Sequence, residues 1–528
     1  MNDYEETLLL GDFLDQRVAD HPDRVVFQSR GIEHTYSQFS REVDKCAKAM
    51  LAMGLTKGSR VAVLSAQRTE VFITFFAAAR LGILWLGVNP KYQLREMRHV
   101  MEDAKVSVFF GIENLDGRNY GTELNTIREE FSNIELFVGF DEANDYDVDF
   151  KSWINHETDN EIDYQEAKTK IDNNIDTMLI YTSGSSGTPK GVLLPQRAIL
   201  KRAMIQWDYF YMDQYPRIMC PLPITHVGGI IVLPLFTMVG AGTSILMESF
   251  DLDQYVEAIA TGKVNALMAV PAMHMLMLRH PKFSLSMLDN IQYLLWSGAK
   301  MPDEAVKIFY EAGCAIGSSY GITETSASVT FVVQEEDNLE VMTNSIGKAG
   351  PVGEVRIANE DVVCKPGESG EIQIRPEYSM SGYLNNEKAT KAAFSADGWY
   401  RSGDIGIMRE DGNIEFTSRM SEMFVSGGYN VYPLEIEQTL EAHDDIALCA
   451  VIEVDDEIYG QVGWAYIMPK PGSNIMHEEI KKWAYGQMAN YKVPRKYFIE
   501  SQLPLLPIGK IDKVSLRKRA LKENELQT

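Results

Sequence analysis

Long uninterrupted apolar runs are missing from this chain of 528 residues. The longest, residues 230–239, is broken by Pro234 and Thr237, and it is far shorter than the ~20 residues that cross a bilayer. The first ten residues, MNDYEETLLL, are acidic where a secretory signal is basic, and their apolar run ends at Gly11. The sequence therefore predicts a cytoplasmic protein without a membrane span.

Cysteine is scarce and basic charge is in deficit. The five cysteines are widely spaced, with neither a CxxC pair nor a nearby CxxH, which argues against a disulfide framework and a zinc site. Fifty Lys and Arg face 75 Asp and Glu, so the formal net charge is −25. That charge disfavours nucleic acid or an anionic membrane surface as a partner. Any phosphate group must therefore be bound locally.

Apolar residues make up 45% of the chain and charged residues 24%, which is enough for a large packed core. In the first quarter, apolar residues at helical spacing alternate with short apolar runs at 61–64, 84–88 and 106–110. This alternation predicts a mainly parallel sheet covered by helices. Residues 113–176 are strongly acidic with weak periodicity and are predicted to form a solvated surface segment.

The pattern of apolar and turn-forming residues changes towards the C-terminus. Beyond about residue 345, short strand-like runs punctuated by Gly and Pro predict a small antiparallel β unit. From about residue 421, the runs IALCAVIEV and WAYIMP and the helical stretch HEEIKKWAYGQM predict a small α+β domain.

A loop rich in glycine and hydroxyl residues, YTSGSSGTPKGV at 181–192, follows an apolar strand-like run. Glycine lets the backbone approach a ligand, amide N–H groups and hydroxyls can donate to phosphate oxygens, and Lys190 adds positive charge. Lys190 comes three residues after Gly187 and precedes Gly191, which departs from the Walker order GxxxxGK[ST]. The loop therefore predicts a phosphate site of another kind, with a flexible linker as the alternative.

The loop resembles the signature of the adenylate-forming enzymes, which include acyl-CoA synthetases, firefly luciferase and the adenylation domains of peptide synthetases. Nine further stretches match that family in the expected order and cover essentially the whole chain. They are HTYSQF at 34–39, GVNPKY at 87–92, PLPITHVGG at 221–229, SGAK at 297–300, SYGITE at 319–324, YRSGD at 400–404, SR at 418–419, SGGYNVYPLEIE at 426–437 and PIGKIDK at 507–513.

The resemblance implies an α/β fold in two domains. Residues 1–418 would form a large N-terminal domain of βα-layered subdomains plus a small β-barrel-like subdomain, with the ATP and acyl sites. Residues 419–422 would be a hinge. Residues 423–528 would form a small mobile α+β domain with the adenylation lysine and the pantetheine-tunnel loop.

The resemblance also implies a nucleotide site with three catalytic residues. Lys510 would stand between the carboxylate, the α-phosphate and the ribose during adenylation, Thr323 would donate to the α-phosphate, and His226 would stand near the carboxylate. For His226, a purely structural role remains an equal alternative. Glu324 would be the metal ligand, because Mg²⁺ prefers oxygen and substrate phosphates.

The remaining contacts to ATP are carried over in the same way. Asp404 would accept both ribose hydroxyls, Arg419 would donate to the ribose, and Tyr320 would offer a flat face to adenine. Lys300 departs from the usual residue of the family, so contacts there are open. The whole predicted nucleotide-binding set is Thr182, Ser183, Gly184, Ser185, Ser186, Gly187, Thr188, Lys190, Gly298, Ala299, Lys300, Ser319, Tyr320, Gly321, Thr323, Asp404, Arg419 and Lys510.

Three further groups complete the resemblance. The acyl group would contact His226, Val227, Gly228, Gly229 and Ile322, and the two glycines weakly favour a pocket larger than acetate needs. Coenzyme A would contact Ser426, Gly427, Gly428 and Tyr429. Ser421 would be the hinge residue, although the family more often has Asp or Lys there.

From these residues the sequence predicts an ATP-dependent acid:CoA ligase that uses Mg²⁺ and forms an acyl-AMP before the thioester. Its substrate would be an apolar monocarboxylic acid, medium-chain aliphatic or aryl. An α-amino acid is disfavoured because no Asp at 226 or 227 could bind an ammonium group. An acyl-AMP ligase that loads a separate carrier protein, a luciferase-like oxygenase and a non-catalytic nucleotide-binding regulator stay open, as does a homodimer.

Overall fold

The chain forms two compact units in a computed structural model. The model describes residues 8–141, 145–156, 161–182, 189–210, 215–334, 338–350, 354–375, 377–426, 429–456, 458–506 and 510–525. The first unit comprises Met1–Thr343, Gly347–Glu354 and Arg375–Phe394, and the second comprises Asn344–Ile346, Val355–Ile374 and Ser395–Thr528. These units confirm the predicted mixed α/β fold with a large N-terminal and a smaller C-terminal part. The predicted hinge at 419–422 lies inside the second unit and stays a prediction.

An eight-stranded sheet is the centre of the first unit. Its inner strands are parallel, as predicted, and a helix follows both Arg60–Leu64 and Leu84–Val88 before the chain returns to the sheet. The strand order is Gly382–Tyr383, Lys190–Pro195, Asp176–Thr182, Leu84–Val88, Arg60–Leu64, Val108–Gly111, Leu136–Gly139 and Val148–Asp149. At one side, Asp176–Thr182 and Lys190–Pro195 pair antiparallel as a hairpin.

The first unit also contains two smaller sheets, whose strands help to position the predicted site. One has four strands in the order Arg217–Cys220, Thr243–Leu246, Val25–Ser29 and Ile32–Thr35. The other has five strands in the order Ala266–Ala269, Tyr293–Ser297, Ala315–Ile322, Ala327–Val333 and Lys348–Ala349. A short pair, Asn114–Leu115 and Arg118–Asn119, lies apart from these sheets.

Helices cover these sheets. Thr69–Leu81 is buried along nearly its whole length, whereas Tyr36–Ala52 is amphipathic and begins with a capping box between Thr35 and Gln38. The other α-helices of the unit are Leu10–Asp20, Leu94–Ala104, Gly121–Glu130, Phe150–Ile154, Glu161–Thr169, Gln196–Phe210, Phe236–Val239, Leu252–Ala260, Pro271–Leu278, Asp303–Ala312, Leu339–Asn344 and Glu387–Ala392. A π-helix spans Gly228–Leu235, and 3₁₀ turns span Leu285–Asn290 and Thr323–Thr325.

The expectation for residues 113–176 was wrong in part. The segment supplies two strands of the eight-stranded sheet, Leu136–Gly139 and Val148–Asp149, and buries Trp153 and Tyr164. Its charged residues lie on the exposed faces of these elements, so the acidic composition hid the apolar positions between them.

The second unit contains two sheets. The β unit predicted beyond residue 345 is a five-stranded sheet in the order Val362–Val363, Glu354–Asn359, Ser369–Arg375, Tyr400–Met408 and Ile414–Arg419. The α+β part has strands Tyr429–Val431, Phe424–Ser426, Gly460–Pro469 and Ile446–Asp456, with Lys496–Ile499 beside Gly460–Pro469. Its helices are the 3₁₀ turn Met420–Glu422 and the α-helices Pro433–Glu441, His477–Gln487 and Lys513–Glu525.

Two absences can be stated for the described ranges. No helix there combines the length and the apolar composition that a bilayer crossing requires. All five cysteines lie in those ranges as free thiols, and all except Cys364 are buried.

Candidate active site

The predicted phosphate loop joins the two strands of the hairpin in the eight-stranded sheet. Thr182 ends the first strand and is the register partner of Lys190, which begins the second. The hairpin thus places Thr182 and Lys190, which flank the predicted loop, opposite each other. The loop residues Ser183, Gly184, Ser185, Ser186, Gly187 and Thr188 lie outside the described residues.

The predicted adenine residues meet at the ends of two neighbouring parallel strands. Ser297 pairs with Ser319, and the Ser297 hydroxyl donates to the Ser319 carbonyl over 2.8 Å. Gly298 follows with φ +89°, a left-handed conformation that favours glycine. At Gly321 a Cβ would lie 1.9 Å from the Ala327 carbonyl oxygen, so only glycine fits. The pairing places the Gly298, Ala299 and Lys300 segment next to the strand that carries Tyr320.

Thr323 and Glu324 lie in the 3₁₀ turn that follows this strand. Thr323 is largely buried, and Glu324 Oε1 accepts a hydrogen bond from the Tyr383 hydroxyl over 2.9 Å. The same Tyr383 ring has Lys190 Nζ 4.8 Å from its centroid. Tyr383 is not among the residues predicted from the sequence, because SGYL at 381–384 belongs to none of the stretches that carry the resemblance.

A buried arginine, Arg202, donates hydrogen bonds to backbone carbonyls of this turn and of a neighbouring segment. Arg202 is 2% exposed, and its Nε donates to the carbonyl oxygen of Thr325 over 3.1 Å, while its Nη2 donates to that of Tyr378 over 3.2 Å. Burial lowers the pKa of the Arg202 guanidinium to about 10. A buried cation must have its donors satisfied, so Arg202 fixes the two carbonyls and with them the turn.

Four of the five predicted acyl residues, His226–Gly229, lie where the chain enters the π-helix Gly228–Leu235, whereas Ile322 ends the strand Ala315–Ile322. His226 Nδ1 accepts a hydrogen bond from the backbone N–H of Gly228 over 3.0 Å. A Cβ on Gly229 would lie 2.1 Å from the Pro223 carbonyl oxygen, so packing alone explains that glycine and pocket size need not. The segment is held by Gln67, whose Nε2 donates to Leu222 O at 2.6 Å and Gly229 O at 2.8 Å. Gln67 was also missed, since nothing in the sequence near residue 67 indicates this long-range contact.

The predicted ribose residues are neighbours in the second unit. Asp404 and Arg419 are register partners on antiparallel strands, and Arg419 Nε lies 3.4 Å from Asp404 Oδ1. Asp404 is completely buried. Its backbone N–H donates to the Ser402 hydroxyl oxygen over 3.0 Å, and the Gly403 N–H donates to Glu371 Oε1 over 3.1 Å. Asp404 is therefore held in place through both its side chain and the backbone before it.

Lys510 shares an electrostatic environment with this pair. Burial lowers the pKa of the Lys510 ammonium to about 8, and the nearby Arg419 charge acts in the same direction. The carboxylates of Asp404 and Glu422 oppose the shift. The second unit thus brings together three candidates that are far apart in sequence.

We expect the rate of adenylation to depend on pH through Lys510. The protonated ammonium carries the useful charge, so kcat/KM for ATP/pyrophosphate exchange should fall as pH rises through about 8. Lys510→Arg is the matched control, because arginine stays charged over this range and should give a flat alkaline limb at whatever rate remains. A wild-type profile without a decrease up to pH 9.5 would contradict this assignment.

A second lysine fixes the start of the last helix. Lys513 Nζ lies 2.8 Å from Glu422 and 2.9 Å from Glu437, which is 5% exposed. Burial alone would lower the pKa of Lys513, but the Glu437 and Glu422 carboxylates raise it above its usual value. Glu422 belongs to the turn next to the predicted hinge residue, so Lys513 ties that turn to the chain three residues beyond Lys510.

Two of the four predicted coenzyme A residues, Ser426 and Tyr429, lie on paired antiparallel strands of the second unit. Ser426 is buried and is the register partner of Tyr429. Tyr429 is 59% exposed, and its ring stacks on Tyr491 with the centroids 4.5 Å apart. Gly427 and Gly428 lie outside the described residues, as does the side chain of Ser421.

The first unit contains a cation, a carboxylate and an aromatic ring at Lys190, Glu324 and Tyr320. The second gathers a buried carboxylate, a guanidinium and a desolvated ammonium at Asp404, Arg419 and Lys510. Charges of both signs in partly dehydrated surroundings act strongly on charge that develops during a reaction.

Comparison with known proteins points to one family. The model of the AMP-binding enzyme family matches residues 14–384, and that of the AMP-binding enzyme C-terminal domain matches residues 435–510. The chain is 28% identical to an indoleacetate–CoA ligase of Aromatoleum aromaticum over 511 residues, which cover 96% of this chain and 97% of that protein.

Two further relatives cover nearly the full length. The long-chain-fatty-acid–CoA ligase FadD13 of Mycobacterium tuberculosis is 27% identical over 521 residues, 97% of this chain and 98% of that protein. The crystal structure of the anthranilate CoA ligase AuaEII in complex with anthranoyl-AMP has a TM-score of 0.87 and 21% identity, and covers 99% of both chains. That last likeness is one of fold.

Proposed function

We propose that this chain, which belongs to the adenylate-forming superfamily of AMP-binding enzymes, is an ATP-dependent acid:CoA ligase. The observation that carries the proposal is Lys510, a desolvated lysine in one charged cluster with Asp404 and Arg419. A protein that only binds a nucleotide has no need of a partly buried lysine there. An enzyme that joins two anions does.

In the first half-reaction, a carboxylate oxygen of the acid attacks the α-phosphorus of ATP, and the bond to the bridging oxygen of pyrophosphate breaks. Asp404 accepts the ribose hydroxyls with Arg419 beside it, and Tyr320 stacks on adenine. Lys510 supplies positive charge between the carboxylate and the α-phosphate, and Thr323 donates to a phosphoryl oxygen. Holding both anions in line reduces the entropy that the reaction must lose.

Magnesium is implied by this chemistry, and the residues present fit it. Tyr383 uses one carboxylate oxygen of Glu324, and Mg²⁺ bound with ATP needs only one or two carboxylates beside phosphates and water. Among the described residues, no three His, Cys, Asp or Glu side chains gather as a metal cluster. Bound there, Mg²⁺ would neutralise phosphate charge and help pyrophosphate to leave.

We expect Glu324→Gln to weaken the Mg²⁺ dependence of adenylation. The amide oxygen can still accept the Tyr383 hydrogen bond, but it lacks the charge that the cation needs. The concentration of Mg²⁺ at half-maximal ATP/pyrophosphate exchange should rise about tenfold or more, by the loss of roughly 1.4 kcal/mol. An unchanged Mg²⁺ titration would count against Glu324 as the ligand.

In the second half-reaction, the thiolate of coenzyme A attacks the acyl carbon, and AMP leaves with the electron pair of the broken bond. The protein needs no nucleophile of its own, since the thiol of the substrate serves. Ser426, Gly427, Gly428 and Tyr429 are the proposed contacts to pantetheine. The relatives named as CoA ligases support CoA as the acceptor.

The proposed acid is an apolar monocarboxylic acid, medium-chain aliphatic or aryl. Val227 is buried beside His226, and Ile322 lies next to Thr323, so the proposed lining is apolar. Indoleacetate and a long-chain fatty acid, which the two relatives are named for, are also acids with an apolar body. The site of action is proposed to be the cytoplasm.

Two assays test the proposal in sequence. ATP/pyrophosphate exchange over a panel of carboxylic acids distinguishes an enzyme from a nucleotide-binding regulator, which would give no exchange with any acid. CoA-dependent release of AMP then distinguishes a CoA ligase from an enzyme that loads a carrier protein. We expect exchange and CoA-dependent AMP release with the same apolar acids. Exchange without CoA-dependent AMP release would refute CoA as the acceptor.

A further inference from the structure

Tyr383 contacts two oppositely charged side chains of the first unit at once. Its hydroxyl donates to Glu324 Oε1 over 2.9 Å, and Lys190 Nζ lies 4.8 Å from the centroid of its ring. The hydrogen bond uses the tip of the side chain and the cation–π contact uses its face. One aromatic residue therefore orients both the predicted metal ligand and the predicted phosphate lysine.

The backbone around Tyr383 is attached to the segments that carry both partners. The Met380 N–H donates to the carbonyl oxygen of Glu324 over 2.9 Å, and the Leu384 N–H donates to that of Gly191 over 2.8 Å. Tyr383 also pairs in the sheet with the strand that begins at Lys190 and is 8% exposed. These contacts leave the ring little freedom to move away from either charge.

Opposite charges in one cleft attract each other, and a direct ion pair would have to break before a ligand could use either group. In the described parts of the chain, Lys190 and Glu324 form no such pair, and each is instead engaged by Tyr383. The contacts with Tyr383 fix the geometry of both groups. This is preorganisation for a ligand that carries charges of both signs, such as ATP with its cation.

We propose that Tyr383 is a positioning residue that holds Glu324 and Lys190 apart, so that the carboxylate is ready for Mg²⁺ and the ammonium for phosphate. The inference rests on the proposed function and adds a residue that neither the family match nor the sequence motifs assign. The hydroxyl acts on the cation side of the ligand, and the ring acts on the phosphate side.

Two variants of Tyr383 separate the effect of its hydroxyl from the effect of its ring. Tyr383→Phe keeps the ring and loses the hydroxyl, so the Kd of ATP measured by calorimetry with Mg²⁺ should rise about tenfold, while the Kd with EDTA should stay within about twofold. Tyr383→Leu loses both contacts, so the Kd of Mg²⁺-free ATP should also rise, by about fivefold. In exchange assays, Tyr383→Phe should raise KM for ATP more than it lowers kcat.

A double-variant cycle tests whether Tyr383 acts through Glu324. Adding Tyr383→Phe to Glu324→Gln should change the Kd of ATP with Mg²⁺ by less than about twofold, because the hydroxyl then has no carboxylate to orient. Full additivity would overturn the inference. Tyr36→Phe is the matched control: it removes another buried tyrosine hydroxyl, which donates to the Gly242 carbonyl over 3.1 Å, and should leave both Kd values unchanged.

The outcomes distinguish this inference from the proposed function. If the wild type binds ATP equally well with Mg²⁺ and EDTA and gives no exchange, the proposed function fails. If the wild type behaves as proposed but Tyr383→Phe matches it with Mg²⁺, only the inference fails. Equal losses with Mg²⁺ and EDTA in Tyr383→Phe would indicate a merely structural tyrosine and would overturn it too.

Discussion

Lys510→Ala should abolish most of the adenylation activity and leave thioester formation from preformed acyl-AMP largely intact. In its proposed role the lysine acts on charge that develops while the carboxylate attacks the α-phosphate, and this charge is absent from the second half-reaction. Removal of one preorganised donor typically lowers a rate by about 10² to 10³. ATP/pyrophosphate exchange measures the first step, and CoA-dependent AMP release from supplied acyl-AMP measures the second.

The structure gives a reason why this loss would not reflect unfolding. The pKa of Lys510 is lowered by burial to about 8, below its usual value, so at pH 7 the folded state disfavours the charge relative to the unfolded chain. Alanine removes that unfavourable charge, and the free energy of unfolding should not fall. Lys518→Ala changes an exposed lysine of the helix Lys513–Glu525, which follows Lys510 in the chain; it is the control and should keep both activities. Equal loss of both half-reactions in Lys510→Ala would refute the assigned role.

Periodicity predicted the elements of the first sheet well, because each is a local pattern. The run 84–88 is the strand Leu84–Val88, and the run 61–64 is the strand Arg60–Leu64. The acidic segment failed because only a few apolar residues, such as those of Leu136–Gly139, enter the core between charged faces. Composition averaged over sixty residues does not resolve a strand of four.

The candidate site shows the same contrast between local patterns, which the sequence reveals, and long-range contacts, which it does not. Motifs supplied candidates that the structure does bring together, such as Asp404, Arg419 and Lys510, although their roles stay predictions. The supporting residues were out of reach, because their contacts join distant parts of the chain. Tyr383 lies 59 positions from Glu324, and Gln67 lies 162 positions from Gly229. A single sequence carries no record of such pairs.

The glycines show where a motif is ambiguous even when it is found. In the sequence, Gly228 and Gly229 weakly favour a roomy acyl pocket, yet the Pro223 carbonyl alone requires glycine at 229. A glycine in a motif therefore indicates that some group lies close to it. That group can be the protein backbone as readily as a substrate. The volume available to the acid has to be measured with acids of graded length.

A substitution at the proposed hinge should affect one half-reaction much more than the other. In the proposed mechanism a single active site serves two reactions with different catalytic groups. Met420–Glu422 form a single 3₁₀ turn after an extended Arg419 with φ −84° and ψ 138°. Proline is tolerated in the first turn of a helix, where the N–H has no helical partner. Ser421→Pro should therefore preserve this arrangement and oppose any other that needs a different φ at this residue.

If Ser421 is the pivot, Ser421→Pro should keep ATP/pyrophosphate exchange within about threefold of wild type while CoA-dependent turnover falls by roughly 100-fold. A proline forced from its φ costs about 3 kcal/mol, and each 1.36 kcal/mol is tenfold in rate. Ser421→Ala leaves φ free and should retain both activities. Normal acyl-CoA synthesis in Ser421→Pro would show that the pivot is another residue, or that the second half-reaction proceeds without a change of backbone at Met420–Glu422.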